Sequence, residues 1–264
     1  MPKVNVNDIQ VYYEVKGEGF PLVMITGLSD NLDGWDPRLV GELSRKFKLV
    51  TFDNRGAGRT DVSDRKYTIK LFADDTTGLM DALEISKAHI LGISMGGMIA
   101  QELVLNHPEK VAKLVLCSTC SGGLKDVQSS EEVSKMLTAD TTKMSQEEKW
   151  RMLLPLVFTD DFIKQNLNFI MQYGQRRLKR PISEEAYMHQ LDAIRTFNTY
   201  ERLHQIKVPT LILHGKKDVL IPSENGAILA ETIPNAKLIY FEKSAHILAE
   251  EMNEVINSVI DFFG

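Results

Sequence analysis

The feature that most narrows the fold of this chain is a series of short apolar, β-rich runs separated by segments of helical spacing. Val11–Val15, Leu22–Thr26, Leu49–Phe52, Ala88–Leu91 and Lys113–Cys117 read as strands in the first half, and Thr210–His214 and Ala236–Phe241 resume the pattern later. Strands that are apolar on both faces have to be covered on both faces, which is the situation of a parallel sheet between two layers of helices. The intervening segments supply those helices. Phe72–Leu83 and Met95–Leu105 have helical spacing, the latter stopped at Asn106-His107-Pro108. A further helix is expected around Glu224–Thr232, and Met252, Val255, Val259 and Phe263 lay an apolar stripe on a closing helix. The expected fold class is therefore α/β, with a doubly wound, mostly parallel sheet flanked by helices.

Between residues 121 and 205 the strand pattern lapses. Ile163, Leu167 and Ile170 fall on one helical line and Phe162, Phe169 and Tyr173 on its neighbour, with Pro155, Gly174 and Pro181 dividing the stretch into several short helices. The expected organisation is a core built from residues 1–120 and 206–264, interrupted by a helical insertion over 121–205.

Charge and cysteine content exclude several classes of function. With 31 basic and 36 acidic residues interspersed, the formal net charge is -5, so no field favours nucleic acid. The densest basic run, Gln175–Arg180, reads as a solvated helix face. Cys117 and Cys120 form a Cys-x-x-Cys, but Ser121-Gly122-Gly123 follows as a loop, and no second ligand pair exists for zinc. Two small residues at a strand end is the expected reading, with no metal and no nucleotide cofactor. The first residues lack the apolar core and cleavage site of a signal peptide, and no run of 18 apolar residues occurs, so a cytoplasmic protein with no membrane insertion is expected. Self-association into a homo-oligomer stays open at this point.

Chemistry concentrates in His89-Ile90-Leu91-Gly92-Ile93-Ser94-Met95-Gly96-Gly97-Met98, which sets a serine between glycines at i−2 and i+2, directly after a strand and before a helix. So sharp a turn strains its central residue, and side chains at the flanking positions would collide. A serine nucleophile needs a base. His107, His189, His204 and His214 each have structural accounts, whereas His246 lies in the polar loop Glu242–His246 between the last strand and last helix, on the same sheet edge as Ser94. Asp218, in the loop after the strand Thr210–His214, is the expected carboxylate partner, since the loop after Cys117 offers no nearby acid. Two backbone N–H groups would hold an oxyanion, those of Met95 and of Leu28 beside Gly27.

These residues together resemble the α/β-hydrolase superfamily over nearly the whole chain: the Gly27 loop, Phe52-Asp53-Asn54-Arg55-Gly56-Ala57-Gly58, the Ser94 elbow, Asp218 in a Gly-x-x-Asp setting, and Ala245-His246. The resemblance implies a helical cap at 121–205 and a stabilising role for Asp53 and Arg55. Thr26-Gly27 departs from the family's usual His-Gly. Ile247, where carbon–carbon bond hydrolases of this fold commonly carry an aromatic residue, points away from that activity, and a serine elbow points away from dehalogenases and epoxide hydrolases, which use aspartate.

The expected function is hydrolysis of a carboxyl ester of a small to medium, largely apolar substrate through an acyl-enzyme, the partner being a small-molecule ester or lactone. Met136, Met152, Leu153, Leu156, Phe158, Phe162, Phe169, Met171 and Tyr173 are expected to roof an apolar pocket; among them Met152, Leu156, Phe158 and Phe162, together with Trp35, are its candidate substrate contacts. An enol-lactone-type lactonase, a cofactor-free perhydrolase and a hydrolase-like ligand receptor remain alternatives.

Overall fold

A computed structural model describes residues 2–264. Eight strands, β1 (Lys3–Val6), β2 (Ile9–Lys16), β3 (Pro21–Ile25), β4 (Lys48–Phe52), β5 (Ala88–Ile93), β6 (Val111–Cys117), β7 (Thr210–Gly215) and β8 (Ala236–Phe241), form one sheet in the order β1-β2-β4-β3-β5-β6-β7-β8. The first two pairings, β1 with β2 and β2 with β4, are antiparallel, and all the others are parallel. Among the described residues ten α-helices accompany it: α1 (Pro37–Ser44), α2 (Ile69–Ala82), α3 (Met95–Asn106), α4 (Glu131–Leu137), α5 (Gln146–Val157), α6 (Asp160–Gln165), α7 (Leu167–Leu178), α8 (Glu184–Arg195), α9 (Glu224–Thr232) and α10 (Met252–Phe263). None is long and apolar enough to cross a membrane among the described residues.

Successive strand residues point to opposite faces, and the core divides accordingly. Val23, Ile25, Ile90, Leu114 and Ile212 pack with α2, α3 and α9 on one side, whereas Leu22, Met24, Leu91, Val115 and Leu213 pack with α1 and α10 on the other. α1 escapes the apolar-run reading, yet its start is written in the sequence: Asp36 caps it by accepting the Arg38 N–H, and Pro37 occupies the first turn, where a missing N–H costs nothing.

Five helices, α4 to α8, lie between β6 and β7; α4 to α7 share a third apolar cluster centred on Trp150, Phe158, Ile170 and Tyr173, whereas Ala193 and Ile194 of α8 join the core beneath. Two of the expected breaks are absent. Pro155 sits inside α5, and Gly174 sits inside α7, where a Cβ would approach Trp150 Nε1 at 2.6 Å. Asn166 provides the break instead, ending α6 and starting α7, so the single stripe through Ile163, Leu167 and Ile170 is divided and Leu167 is exposed. The two ends of the insertion are tied at a neck. Gly122 bridges to Asn198, the Thr199 N–H donates to the Ser121 carbonyl at 2.8 Å, and buried Gln101 accepts from the Thr199 hydroxyl at 2.7 Å while donating to the Cys120 carbonyl at 2.9 Å.

The turn after β4 is bound by charge. Asp53 accepts the Leu32 and Arg59 N–H groups, each at 2.8 Å, and fully buried Arg55 pairs with Asp75 at 2.7 Å and Asp8 at 2.9 Å. Near the start of β5, His89 stacks on Phe263 at 4.6 Å with its Nδ1 buried and unpartnered. Burial, aided by Lys113, lowers its pKa from 6.5 to about 4. Between those two values the unfolded chain binds a proton that the folded chain refuses, so stability should fall as pH drops from about 6.5 to about 4 and this contribution should then level off. In His89→Phe that component should vanish, as denaturant unfolding of both proteins across this range will report.

Candidate active site

The carboxyl ends of β3, β5, β7 and β8 gather the expected residues on one edge of the sheet. Ser94 follows β5 and opens α3 with φ 55° and ψ −123°, a conformation that costs a non-glycine residue free energy and persists only when its surroundings fix it. Those surroundings are specific. The Ser94 N–H donates to Cys117 O at 2.9 Å, and the Ser94 carbonyl accepts from the Gly97 N–H at 2.9 Å and the Thr119 hydroxyl at 2.8 Å. The flanking glycines are needed for space. A Cβ on Gly92 would overlap the Gly96 carbonyl, and one on Gly96 would overlap the Ile25 carbonyl.

Behind the elbow stands a buried, hydrogen-bonded carboxylate and imidazole. His246, in the loop after β8, is 4% exposed, and its Nδ1 lies 2.7 Å from Asp218 Oδ2. Asp218, in the loop after β7, also accepts the Leu220 and Ile221 N–H groups at 2.9 Å each on Oδ1. Burial alone would raise its pKa, but the His246 charge and the hydrogen bonds of His214 and His246 outweigh that and leave the carboxyl below the usual carboxylate range. An ionised Asp218 makes His246 Nδ1 the donor and leaves Nε2 free to accept a proton.

His214, read from sequence as a strand-end residue, takes part in this arrangement. Its Nε2 is 3.4 Å from Asp218 Oδ2 and 2.9 Å from the Ile221 carbonyl, so its ring braces the loop carrying the carboxylate. No motif marks it. Only the spacing His214 to Asp218 could have suggested the pairing.

Ser94 and His246 line the same cavity, of about 130 Å³, together with Leu28 and Trp35. The Leu28 and Met95 N–H groups are bonded to no acceptor among the described residues, and a Cβ at Gly27 would come within 3.1 Å of Ser94 Cβ. Both N–H groups are thus left without a partner within the described residues, on segments that adjoin the serine. Cys117 also lines the cavity, but burial pushes its thiol up to about 12, which leaves it protonated and a poor nucleophile at neutral pH.

The cavity wall differs from the expected one. Leu156, Phe158 and Phe162 belong to the insertion's own aromatic core, Phe158 stacking on Phe162 at 5.6 Å, and do not line the cavity. Met152 and Met136 line a second cavity of about 90 Å³, and Met171 is exposed. The residues that do roof Ser94 include Leu137, Leu153, Val157, Phe169 and Tyr173, with Leu220 and Ile247 from the core. An apolar helical stripe signals burial without saying against what, so periodicity does not separate Leu156, Phe158 and Phe162, which pack within the insertion, from Phe169 and Tyr173, which reach the cavity.

The basic run, expected as a solvated helix face, is solvated only in part. Lys179 and Arg180 are exposed, but Arg177 is only 13% exposed, borders both cavities and grips the Gly27 loop. Its nitrogens donate to Ser29 Oγ at 2.7 Å and approach Asp30 Oδ1 at 3.5 Å.

Comparison with known proteins adds a family and relatives. A family model described as the alpha/beta hydrolase fold matches residues 21–251. A putative carbamate hydrolase, RutD, from Azorhizobium caulinodans is 26% identical over 98% of this chain and 97% of its own length. A putative non-heme bromoperoxidase, BpoC, from Mycobacterium tuberculosis is 27% identical over 97% of this chain and 98% of its own. Among solved structures, the enol-lactonase from Burkholderia xenovorans LB400 superposes with a TM-score of 0.86 at 26% identity, covering 99% of each chain.

The space around the elbow yields a direct test. Gly96→Ala should cost about 1–3 kcal/mol through overpacking against Ile25 and Thr26, and should displace the neighbouring Met95 N–H. Denaturant unfolding will measure the first effect. A slower reaction of Ser94 with a fluorophosphonate will measure the second.

Proposed function

Because the chain belongs to the α/β-hydrolase fold family, we propose that it is a serine hydrolase that cleaves carboxyl esters of small to medium, largely apolar substrates through an acyl-enzyme on Ser94. The observation that carries this reading is the buried Asp218–His246 pair, 2.7 Å apart, whose imidazole borders the same mainly apolar cavity as a serine held at positive φ.

Ser94 Oγ attacks the ester carbonyl while His246 Nε2 takes its proton. The tetrahedral oxyanion is held by the Met95 and Leu28 N–H groups, which act without reorganising because the elbow and the Gly27 loop already fix them. Collapse expels the alcohol, which receives the proton from His246. Water then enters, gives its proton to His246 and releases the acid, restoring the Ser94 hydroxyl. Asp218 stays ionised throughout, stabilising the imidazolium and holding the ring in its Nδ1–H tautomer.

A lactone ring is a second reading, favoured by the likeness to an enol-lactonase over 99% of both chains. The two readings share every residue and differ in whether the leaving alcohol stays tethered. Comparing turnover of enol-lactones with that of acyclic esters separates them.

Ser94→Ala should abolish ester turnover and fluorophosphonate labelling, and Asp218→Asn should lower kcat by about 10³–10⁴-fold by imposing the wrong imidazole tautomer. Full p-nitrophenyl ester activity in Ser94→Ala would sink the proposal. Mass spectrometry of the trapped acyl-enzyme identifies the modified residue independently of rate.

A further inference from the structure

Given that Ser94 is the nucleophile and the Leu28 N–H an oxyanion donor, as proposed above, we infer that Gln190 and Arg177 are positioning residues that set this donor from the roof helices. The peptide unit joining Leu28 to Ser29 is gripped at both of its polar atoms. Its carbonyl accepts from Arg177 at 3.4 Å, and its N–H donates to Gln190 Oε1 at 2.9 Å. Anchoring that plane restrains the torsions at Leu28 Cα that join it to the Gly27–Leu28 unit, whose own carbonyl accepts the Asp30 N–H at 3.3 Å, so the Leu28 N–H loses freedom to turn away from the serine.

Both grips are built, and neither is a surface contact. Gln190, on α8, is fully buried, and its Nε2 donates to the Arg55 carbonyl at 3.0 Å, so one side chain spans the Gly27 loop and the charged turn after β4. Arg177, on α7, also donates to Ser29 Oγ at 2.7 Å and faces Asp30, which in turn accepts from the Tyr173 hydroxyl at 3.4 Å. Ser29 itself sits at φ 60°, a sparsely populated conformation that endures where neighbours over-determine it. The core contributes less on this stretch. Asn54 donates to the Thr26 carbonyl at 3.1 Å and the Asp30 N–H to Gly27 O at 3.3 Å, but the polar groups of the Leu28–Ser29 peptide are bonded to roof side chains. Seen this way the oxyanion site is shared between two parts of the chain: Met95 comes with the sheet, and the setting of Leu28 comes with the roof.

A positioning role separates from a merely structural one in what it does to the transition state. Gln190→Met removes both hydrogen bonds at nearly constant volume, and Arg177→Met removes the other grip. In each, kcat for a p-nitrophenyl ester and affinity for an aryl trifluoromethyl ketone, whose adduct carries an oxyanion, should fall together by roughly 10–100-fold, somewhat less than deletion of a donor outright. KM and affinity for the carboxylate product should change less than about threefold, and Arg177→Lys should restore part of kcat. Should a Met variant fail to fold, Arg177→Lys and Gln190→Glu, which keep one partner each, serve the same comparison with intermediate losses expected. Folded variants that keep wild-type kcat and ketone affinity, or that lose ketone and product affinity in equal measure, overturn the inference while leaving the hydrolase reading intact. Wild-type protein that neither turns over esters nor is labelled at Ser94 overturns the hydrolase reading, and the inference with it.

Discussion

The backbone of residue 94 is the constraint on which the rest of the sheet's carboxyl edge depends. A non-glycine residue at φ 55° is unfavourable by itself, and the fold supplies what holds it there: β6 on one side through Cys117, the first turn of α3 on the other, and two glycines that let β3, β5 and α3 approach at backbone distance. Because β5 is central in an all-parallel stretch, its end cannot shift without moving β3 and β6 as well. The serine is exposed to the cavity for the same reason that it is strained.

Electrostatics divides along the same edge. Arg59 pairs with Asp53, and Arg55 with Asp75 and Asp8, in buried or part-buried groups that fix the turn after β4. Asp218, by contrast, is surrounded by backbone N–H groups and two imidazoles, only one of which reaches the cavity. A carboxylate held in its ionised form beside a histidine is poised to stabilise a positive charge that comes and goes. The two acidic clusters are similar in composition and differ in what faces them.

Much of this was legible in the chain because local rules and the global fold agree there. Apolar runs marked the strands, a glycine-spaced serine marked the elbow, and a polar loop before the last helix marked His246. The roof resisted the same treatment. Leu156, Phe158 and Phe162 obey helical periodicity as well as any cavity-lining residue would, and periodicity reports a buried face without naming its neighbour. Arg177 and Gln190 were hidden for another reason: the peptide atoms they grip, at Leu28 and Ser29, lie about 150 and 160 residues away and leave no trace in side-chain pattern. His214 shows the intermediate case, where the partner is four residues off but the motif records only one of the pair.

The neck at Gly122, Asn198 and Thr199 has a consequence for how such a chain can vary. With entry and exit bonded to each other, the sheet experiences the whole excursion as one closed loop, and the entropy of closing a loop grows only logarithmically with its contour. Doubling the number of residues beyond the neck would add roughly 0.6 kcal/mol on that count. The contour of the excursion can therefore grow or shrink away from Arg177 and Gln190 while the strands beneath inherit almost none of the thermodynamic burden.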